Sequence, residues 1–229
     1  MDWIIRSIPS TFCDSSVKDI GTDFLLCSSY KFFGPRLGII YCKKEVGETL
    51  ETTRVLASDN TEMPETLETG TLSMELVHGA AEAVQFIADC GQRHEDQLEA
   101  ELAGLTGMRR RIVAGMKAFE IYEEALADAL RAGLSEIQGL KLYGPGTGAP
   151  RTSTVSFTIE GHHANDIAKF LAEKGLYVWD GDFYAIATIN STLGLEPAGG
   201  LVRVGFAPYN LMSDVERVIA AVKEFVLKK

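Results

Sequence analysis

The apolar and polar positions near the start of the chain predict two buried strands around a turn. Residues 23–42 hold two apolar runs, in DFLLCSS and LGIIYCKK, separated by FFGPR. Runs of this length between breakers are typical of buried strands, and the Gly-Pro pair predicts a turn between them. Residues 43–71 are polar and rich in Thr and Glu, so they predict an irregular segment that turns at Gly70.

From Leu72 the apolar spacing changes to that of helices. In SMELVHGAAEAVQFIADCG the apolar residues recur every three or four positions, and Gly91 is a predicted C-cap. The charged stretch 94–115 predicts an amphipathic helix, and another helix follows through YEEALADALRAGLSEI. The residues expected on the inner faces of the first and last of these helices are Leu76, Ala80, Val84, Ile87, Leu126, Leu130 and Leu134.

Strands and helices alternate in the last third of the chain. GLKLYGP, RTSTVSFTIEG, LYVWDGDF and LVRVGFAPYN read as strands, and the alternation of Val155, Phe157 and Ile159 is that of a half-buried strand. One helix is predicted between the second and third strands, with Asn165 or Asp166 near its start. The final helix is predicted to be capped by Ser213 or Asp214. This order predicts an α+β layout, a small sheet with helices on one side.

Composition narrows the class of protein. The chain has 229 residues, a formal net charge of −10 and a pI near 4.9, which argues against binding to nucleic acid or to anionic membranes. No apolar run approaches the roughly 18 residues of a membrane span, and MDWIIRSIPS does not resemble a signal peptide. The chain has four cysteines, Cys13, Cys27, Cys42 and Cys90, and none of them forms a CxxC pair. This pattern predicts reduced core thiols in a cytoplasmic protein, with zinc binding as a remote alternative.

Lys31 is the first candidate for chemistry, because it stands where a buried strand is predicted to stop. A desolvated lysine amine is nucleophilic toward aldehydes, so Lys31 could form a Schiff base. The alternative is a surface lysine that opens a turn, and composition alone favours that alternative.

The neighbours of Lys31 change this balance. The segment CSSYKFFGP resembles the pyridoxal-phosphate lysine segment of class V aminotransferases, which are fold type I enzymes, and especially their cysteine desulfurase-like branch. The resemblance implies that Lys31 binds the cofactor aldehyde and that Ser28 donates to the cofactor phosphate. Desulfurases often have histidine before the lysine, whereas this chain has Tyr30.

Two later segments extend the resemblance. ETLETGTLS is similar to the family segment whose Gly and Thr reach the cofactor phosphate of the partner subunit, which implies roles for Gly70 and Thr71 and a homodimer. The residues alone leave a helix N-cap at Thr71 equally open. LVRVGFAPYN is similar to the segment whose arginine binds the substrate carboxylate, which implies that role for Arg203. An outward-facing arginine on an edge strand is the alternative.

The chain departs from the family pattern in two places. The family's cofactor domain begins well before the lysine, so this chain resembles a C-terminal portion, in which Asp2 is the candidate partner of the cofactor's pyridine nitrogen. A cysteine desulfurase also needs a thiolate in a loop of the small domain, but no cysteine follows Cys90. WDGDFYAIATINSTLG occupies that region and offers Asp180, Asp182 and Tyr184. Elimination, transamination or epimerisation, each begun by proton removal at Cα with Lys31 as base, stay open.

The resemblance therefore implies an α/β plus α+β fold. Residues 1–75 would be the end of the large cofactor-binding domain, and 76–229 the small domain with its connecting helices. The implied function is that of a pyridoxal 5'-phosphate-dependent enzyme acting on a small amino acid, a lyase or transferase. The alternative is a non-catalytic remnant or interaction module that has lost the cofactor. The adjacent His162 and His163 are expected to be solvated loop residues rather than metal ligands.

Overall fold

The computed structural model of the chain describes residues 3–5, 16–53, 62–68, 70–146, 148–149 and 151–228. The chain divides into two compact units, Met1–Ala118 and Phe119–Lys229. The predicted domains 1–75 and 76–229 follow the family layout rather than compactness, and they stay a prediction. Within the described ranges no helix is both long and apolar enough to cross a membrane.

The first unit contains a three-stranded sheet in the order β1–β2–β3. Strand β1 (Trp3–Ile5) pairs in parallel with β2 (Phe24–Ser28), and β2 pairs antiparallel with β3 (Gly38–Cys42). The two strands and the turn predicted for 23–42 are confirmed. Their predicted burial is only partly correct, because the Ile40 side chain on β3 is 57% exposed.

Two short helices and one long helix accompany this sheet. They are α1 (Val17–Ile20), α2 (Lys44–Gly47) and α3 (Met74–Gln92). The prediction that Gly91 ends α3 is wrong, because the helix continues through it and Arg93 is the C-cap residue. Gly91 is instead buried within α3, at the point where the next long helix crosses it.

The next helix, α4 (Gly107–Ser135), crosses α3 at very short range. A Cβ added at Gly91 would lie 1.8 Å from the carbonyl oxygen of Arg111, and one added at Gly115 would lie 2.1 Å from that of Ile87. Both positions therefore require glycine for a packing reason.

Helix α4 also corrects the predicted division of residues 94–137 into two helices. Residues 95–97 form a single 3-10 turn, and one continuous helix then runs from Gly107 to Ser135. Arg110 stabilises its start through its Nε, 3.2 Å from Glu95, and its Nη2, 2.5 Å from Glu99. The leucines predicted on the inner face of the later helix are all buried: Leu126, Leu130 and Leu134.

The second unit is built on a four-stranded antiparallel sheet in the order β4–β5–β7–β6. The strands are β4 (Leu140–Tyr143), β5 (Thr154–Ile159), β6 (Trp179–Gly181) and β7 (Leu201–Gly205). Two helices complete the unit, α5 (Ala164–Glu173) and α6 (Met212–Leu227). The predicted strands and the α+β layout are confirmed.

One face of this second sheet forms the core of the unit. The predicted alternation on β5 is confirmed, since its inward residues are at most 4% exposed: Val155, Phe157 and Ile159. They pack in one apolar cluster with residues of β7, α4, α5 and α6. The other face of the sheet is left to carry polar and aromatic side chains, and Arg203 is among them.

Asn165 and Asp166 lie in the first turn of α5, as predicted, whereas the start of α6 differs from the predicted cap. His163 is the N-cap residue of α5, and its Nδ1 accepts a hydrogen bond from the Asn165 backbone at 3.3 Å. Leu211 occupies the N-cap position of α6, and the Asp214 carboxylate accepts from its backbone N–H at 3.0 Å. Asp214 thus serves the helix start from inside the first turn, and Ser213 is exposed.

Candidate functional site

Lys31 lies on a short 3-10 helix, Ser29–Phe32, directly after strand β2. The helix ends at Phe33, whose φ of 70° is in the left-handed region that few residues other than glycine adopt. The chain then reverses direction through Gly34 and Pro35 and continues into β3. The local sequence therefore places the lysine on a turn of fixed shape.

Ser29 organises this turn, and the sequence reasoning did not single it out. Its side chain is fully buried, and its hydroxyl donates a hydrogen bond to the Pro35 carbonyl. Its backbone N–H donates to the Leu37 carbonyl at 2.9 Å, and its own carbonyl accepts from Gly34 N–H at the same distance. The Gly-Pro pair signals a turn, but only the structure shows which of two adjacent serines closes it.

Helix α3 packs against the same turn. A Cβ added at Gly79 would lie 3.3 Å from the Pro35 ring, so helix and turn are in close contact there. The rings of Phe33 and Phe86 meet edge to face, with centroids 6.1 Å apart. Two separate contacts thus fix the turn that carries Lys31 to one helix.

The side chains predicted to bind the cofactor from this turn are accessible. Lys31 is exposed, and its ammonium lies 5.7 Å from the centre of the exposed Tyr30 ring. Ser28, at the end of β2, is half-buried, and its hydroxyl does not cap the 3-10 helix. An amine and a hydroxyl are therefore presented at the same strand end.

Gly70 and Thr71 lie just before helix α3, and both are exposed. Nothing lies within 4 Å of a Cβ added at Gly70. The alternative that Thr71 is an N-cap is wrong, because Ser73 occupies the N-cap position and its hydroxyl donates to Glu75 at 2.5 Å. Asp2, the candidate for the pyridine nitrogen, lies outside the described residues.

Arg203 lies at the centre of the open face of the second sheet. Residues directly opposed on paired strands share a face of the sheet. The strand register places one residue of each strand in such a row: Tyr143, Ser156, Arg203 and Trp179. Arg203 is exposed, as the outward-facing alternative required, but the edge-strand part of that alternative is wrong, because β7 lies between β5 and β6. Trp179 beside Arg203 is 62% exposed. Exposure leaves the guanidinium accessible to a carboxylate.

An aromatic ring covers one side of this arginine. The guanidinium carbon of Arg203 lies 4.3 Å from the centre of the Phe183 ring. Phe183 and Tyr184 follow β6 with φ values of 54° and 63°, two consecutive residues in the left-handed region. The sequence reasoning named the surrounding segment but not Phe183, because a contact between residues 20 positions apart depends on strand pairing.

The polar residues of the loop after β6 are engaged in local structure. Asp180 accepts a hydrogen bond from the Asn165 side chain at 3.2 Å. The Asp182 carboxylate accepts from the Tyr184 backbone N–H at 3.0 Å, which holds the turn. The Tyr184 side chain, in contrast, is 97% exposed.

Metal and thiol chemistry find little support in the described part of the chain. No group of three or more His, Cys, Asp or Glu side chains there could hold a metal ion. His162 is not the solvated loop residue that was expected. Its ring packs on Phe225, with centroids 4.9 Å apart, and the residue is half-buried. Of the predicted core thiols, Cys27, Cys42 and Cys90 are half-buried, and Cys13 lies outside the described residues. Burial raises the pKa of Cys27 and of Cys42, which disfavours the reactive thiolate.

Comparison with known proteins covers almost the whole chain. The family model for aminotransferase class V matches residues 12–111 and 110–218. Probable cysteine desulfurase 2 of Mycobacterium leprae is 28% identical over 228 residues, which cover 95% of this chain and 47% of that protein. A cysteine desulfurase of Haloferax volcanii is 26% identical, with 95% and 46% covered. The chain thus spans about half the length of the curated relatives it matches.

Solved structures agree with the predicted fold. An apo cysteine desulfurase from Thermococcus onnurineus superposes with a TM-score of 0.73 at 24% identity, covering 99% of this chain and 52% of that one. The cysteine desulfurase CsdA from Escherichia coli gives a TM-score of 0.65 at 23% identity, covering 92% and 48%. These likenesses confirm the predicted α/β plus α+β fold of fold type I. The family model extends over most of the chain, and the chain belongs to the class V aminotransferase family.

Proposed function

We propose that this chain is part of a pyridoxal 5'-phosphate-dependent enzyme that acts on a small amino acid. The observation that carries the proposal is the turn at Lys31, which presents an exposed amine on a support fixed by Ser29 and by helix α3. Membership of the class V aminotransferase family supports the same cofactor.

The donors in the first unit fit a phosphate-bearing aldehyde. The Lys31 amine suits the aldehyde, and the Ser28 hydroxyl, which caps no helix, suits the phosphate. Gly70 and Thr71 offer exposed backbone N–H and hydroxyl groups of the kind that bind phosphate. Their proposed contact is with the cofactor of a partner subunit, so a homodimer is part of the proposal.

Each residue has a separate task in this proposal. Pyridoxal phosphate, when bound, supplies an electron sink for the substrate. Lys31 would hold the cofactor and would accept the proton from the substrate Cα, while Arg203 would orient the substrate by binding its carboxylate through paired hydrogen bonds. Asp2 is proposed as the partner of the pyridine nitrogen.

Cysteine is the first substrate to test, because the similar proteins from Mycobacterium leprae and Haloferax volcanii are named as cysteine desulfurases. The loop after β6 carries Asp182 and Tyr184 but no cysteine. Sulfur transfer to a thiolate of that loop is therefore not part of the proposal. Elimination, transamination and epimerisation share the first proton transfer and remain the proposed outcomes.

Cofactor capture tests the proposal directly. The full chain is mixed with pyridoxal phosphate and reduced with borohydride, which makes a lysine–cofactor bond permanent, and the modified peptide is identified by mass spectrometry. We expect a visible absorbance band before reduction and the label on Lys31. Lys31→Ala should lose both signals, whereas Lys44→Ala, which alters another exposed lysine of the same unit, should keep them.

The second candidate function is a non-catalytic interaction module of the same ancestry. It is favoured by the absence of a cysteine from the loop after β6. Labelling spread equally over Lys31, Lys44 and other exposed lysines, with no band lost in Lys31→Ala, would favour this candidate and contradict cofactor binding.

A further inference from the structure

We infer that Phe183 is a positioning residue for Arg203, holding the guanidinium in one plane so that its edge is presented to a carboxylate. The inference deepens the proposed function, since it rests on the role of Arg203 as the carboxylate-binding residue. All of the residues involved lie in the second unit, on and beside the open face of its sheet.

The contact between the two side chains has the required geometry. The Arg203 guanidinium carbon lies over the Phe183 ring, 4.3 Å from its centre. A guanidinium is planar, and all its N–H bonds lie in that plane. In the proposed arrangement the ring lies against one face of the guanidinium, restrains its rotation and leaves accessible the in-plane donors that bind a carboxylate in pairs.

The backbone that delivers Phe183 is strained. Phe183 and Tyr184 have φ values of 54° and 63°, and residues with a Cβ adopt this region at a cost in free energy. Two hydrogen bonds to Asp182 hold the turn, from Tyr184 N–H to its carboxylate at 3.0 Å and from Ala185 N–H to its carbonyl at 2.8 Å. Strain that the surrounding structure maintains is concentrated at functional sites, and here it places a ring on the arginine.

The donors of Arg203 are not committed to a protein carboxylate. Across the described residues, no acidic side chain lies within ion-pair distance of it. The nearest acids in the sequence are used elsewhere, Asp180 by Asn165 and Asp182 by the turn itself. The neighbours across the strands, Ser156 and Trp179, carry no charge. An exposed guanidinium that makes an aromatic contact but has no ion pair among the described residues fits an external carboxylate.

Acetate binding to the full chain provides the test. The Arg203 Nε–H signal, assigned with Arg203→Gln, is followed by ¹⁵N NMR as acetate is added. We expect Phe183→Leu, which removes the aromatic ring but keeps an apolar side chain, to bind acetate about two- to five-fold more weakly, the range of an exposed cation–π contact. Phe183→Tyr, which keeps a ring, should bind as the wild type does.

A second variant separates positioning from a merely structural role. Phe183→Gly removes the ring and also relieves the positive φ, so the melting temperature should stay level or rise while acetate affinity falls. Unchanged acetate affinity in both Phe183→Leu and Phe183→Gly, or no acetate binding in the wild type, would overturn the inference. Failure of borohydride labelling at Lys31 with intact, ring-dependent acetate binding would instead count against the proposed cofactor function alone.

Discussion

At the scale of single residues, two adjacent serines before Lys31 have different tasks. The Ser29 hydroxyl is buried and donates to the Pro35 carbonyl, whereas the Ser28 hydroxyl is half-buried and caps nothing. One residue therefore shapes the turn, and the other is available to a ligand. The sequence SSYK alone does not distinguish them, because both serines precede the lysine in the same local pattern.

Substituting the two serines separates these tasks. Ser29→Ala should lower the free energy of unfolding by about 1 kcal/mol, because it removes the buried hydroxyl's hydrogen bond to the Pro35 carbonyl, which would then accept only from the Leu37 N–H. Ser28→Ala, the matched control, should leave stability unchanged and weaken capture of pyridoxal phosphate. Urea denaturation and a cofactor titration of both variants check this. Equal losses of stability would contradict the assignment of Ser29 as the residue that closes the turn.

The Asp214 carboxylate makes the stability of the second unit depend on pH. The Leu211 backbone N–H, the Asn210 amide and then Arg217 hold its pKa below the ordinary value. A group with a lowered pKa in the folded state stabilises the fold above its unfolded pKa, and this contribution is lost as the pH falls through the folded pKa. Asp214→Asn should therefore be less stable than the wild type at neutral pH, with a difference that shrinks in acid.

Thermal melting between neutral pH and the acid side of the carboxyl range checks this expectation. The control is Ser213→Ala, at the other residue that the sequence offered as a cap, which is exposed and should change stability little at any pH. A destabilisation by Asp214→Asn that persists undiminished in acid would show that the carboxylate charge is not its cause.

At the scale of elements, α3 and α4 cross where each has a glycine. Gly115→Ala should destabilise the first unit by about 3 kcal/mol, because its new methyl group would meet a backbone carbonyl that cannot move aside. Gly133→Ala, on the same helix in the second unit, would meet the side-chain end of Ile219 at 2.3 Å and should cost less. Urea denaturation followed by circular dichroism compares the two.

Elements were more predictable than their ends. The alternation on β5 and the leucine spacing on α4 follow from burial of one face, which leaves a periodic trace in the sequence. The end of α3 leaves no such trace, because a glycine such as Gly91 is typical both of a helix C-cap and of a close contact between helices. His163 and Leu211 were missed as N-cap residues because neither is a common N-cap type. His163 caps through its Nδ1, and at Leu211 the capping hydrogen bond goes to the Asp214 carboxylate.

At the scale of the whole molecule, Ile39 and Ile40 follow each other on strand β3 and are 36% and 57% exposed, so each face of the strand carries a partly exposed apolar side chain. Exposed apolar side chains on a strand favour association. We expect the chain to self-associate in solution, and Ile40→Thr to shift the distribution toward the monomer. Sedimentation velocity measures this, with Lys44→Thr, a change at an exposed polar site, as the control. Identical distributions for wild type and Ile40→Thr would contradict the expectation.

The candidate site was only partly readable from the sequence. Lys31 and Ser28 stand within one short segment, so a local motif could identify them. The contact of Phe183 with Arg203 depends on how β6 and β7 pair, and the openness of Gly70 depends on where α3 begins. Such facts are properties of the folded chain, and no window of neighbouring residues contains them.

The glycine crossing of α3 and α4 has a consequence for Lys31. The residues next to Gly91 and Gly115 have side chains, so α3 cannot slide along α4 without a clash. The crossing therefore sets the position of α3 along its own axis. The lysine turn rests on α3 at Gly79 and Phe86, so it inherits that position. The position of the Lys31 amine thus depends on a contact between two glycines that lie 60 and 84 residues further along the chain. Substitutions at Gly115 should alter the rate of cofactor capture even where the fold survives.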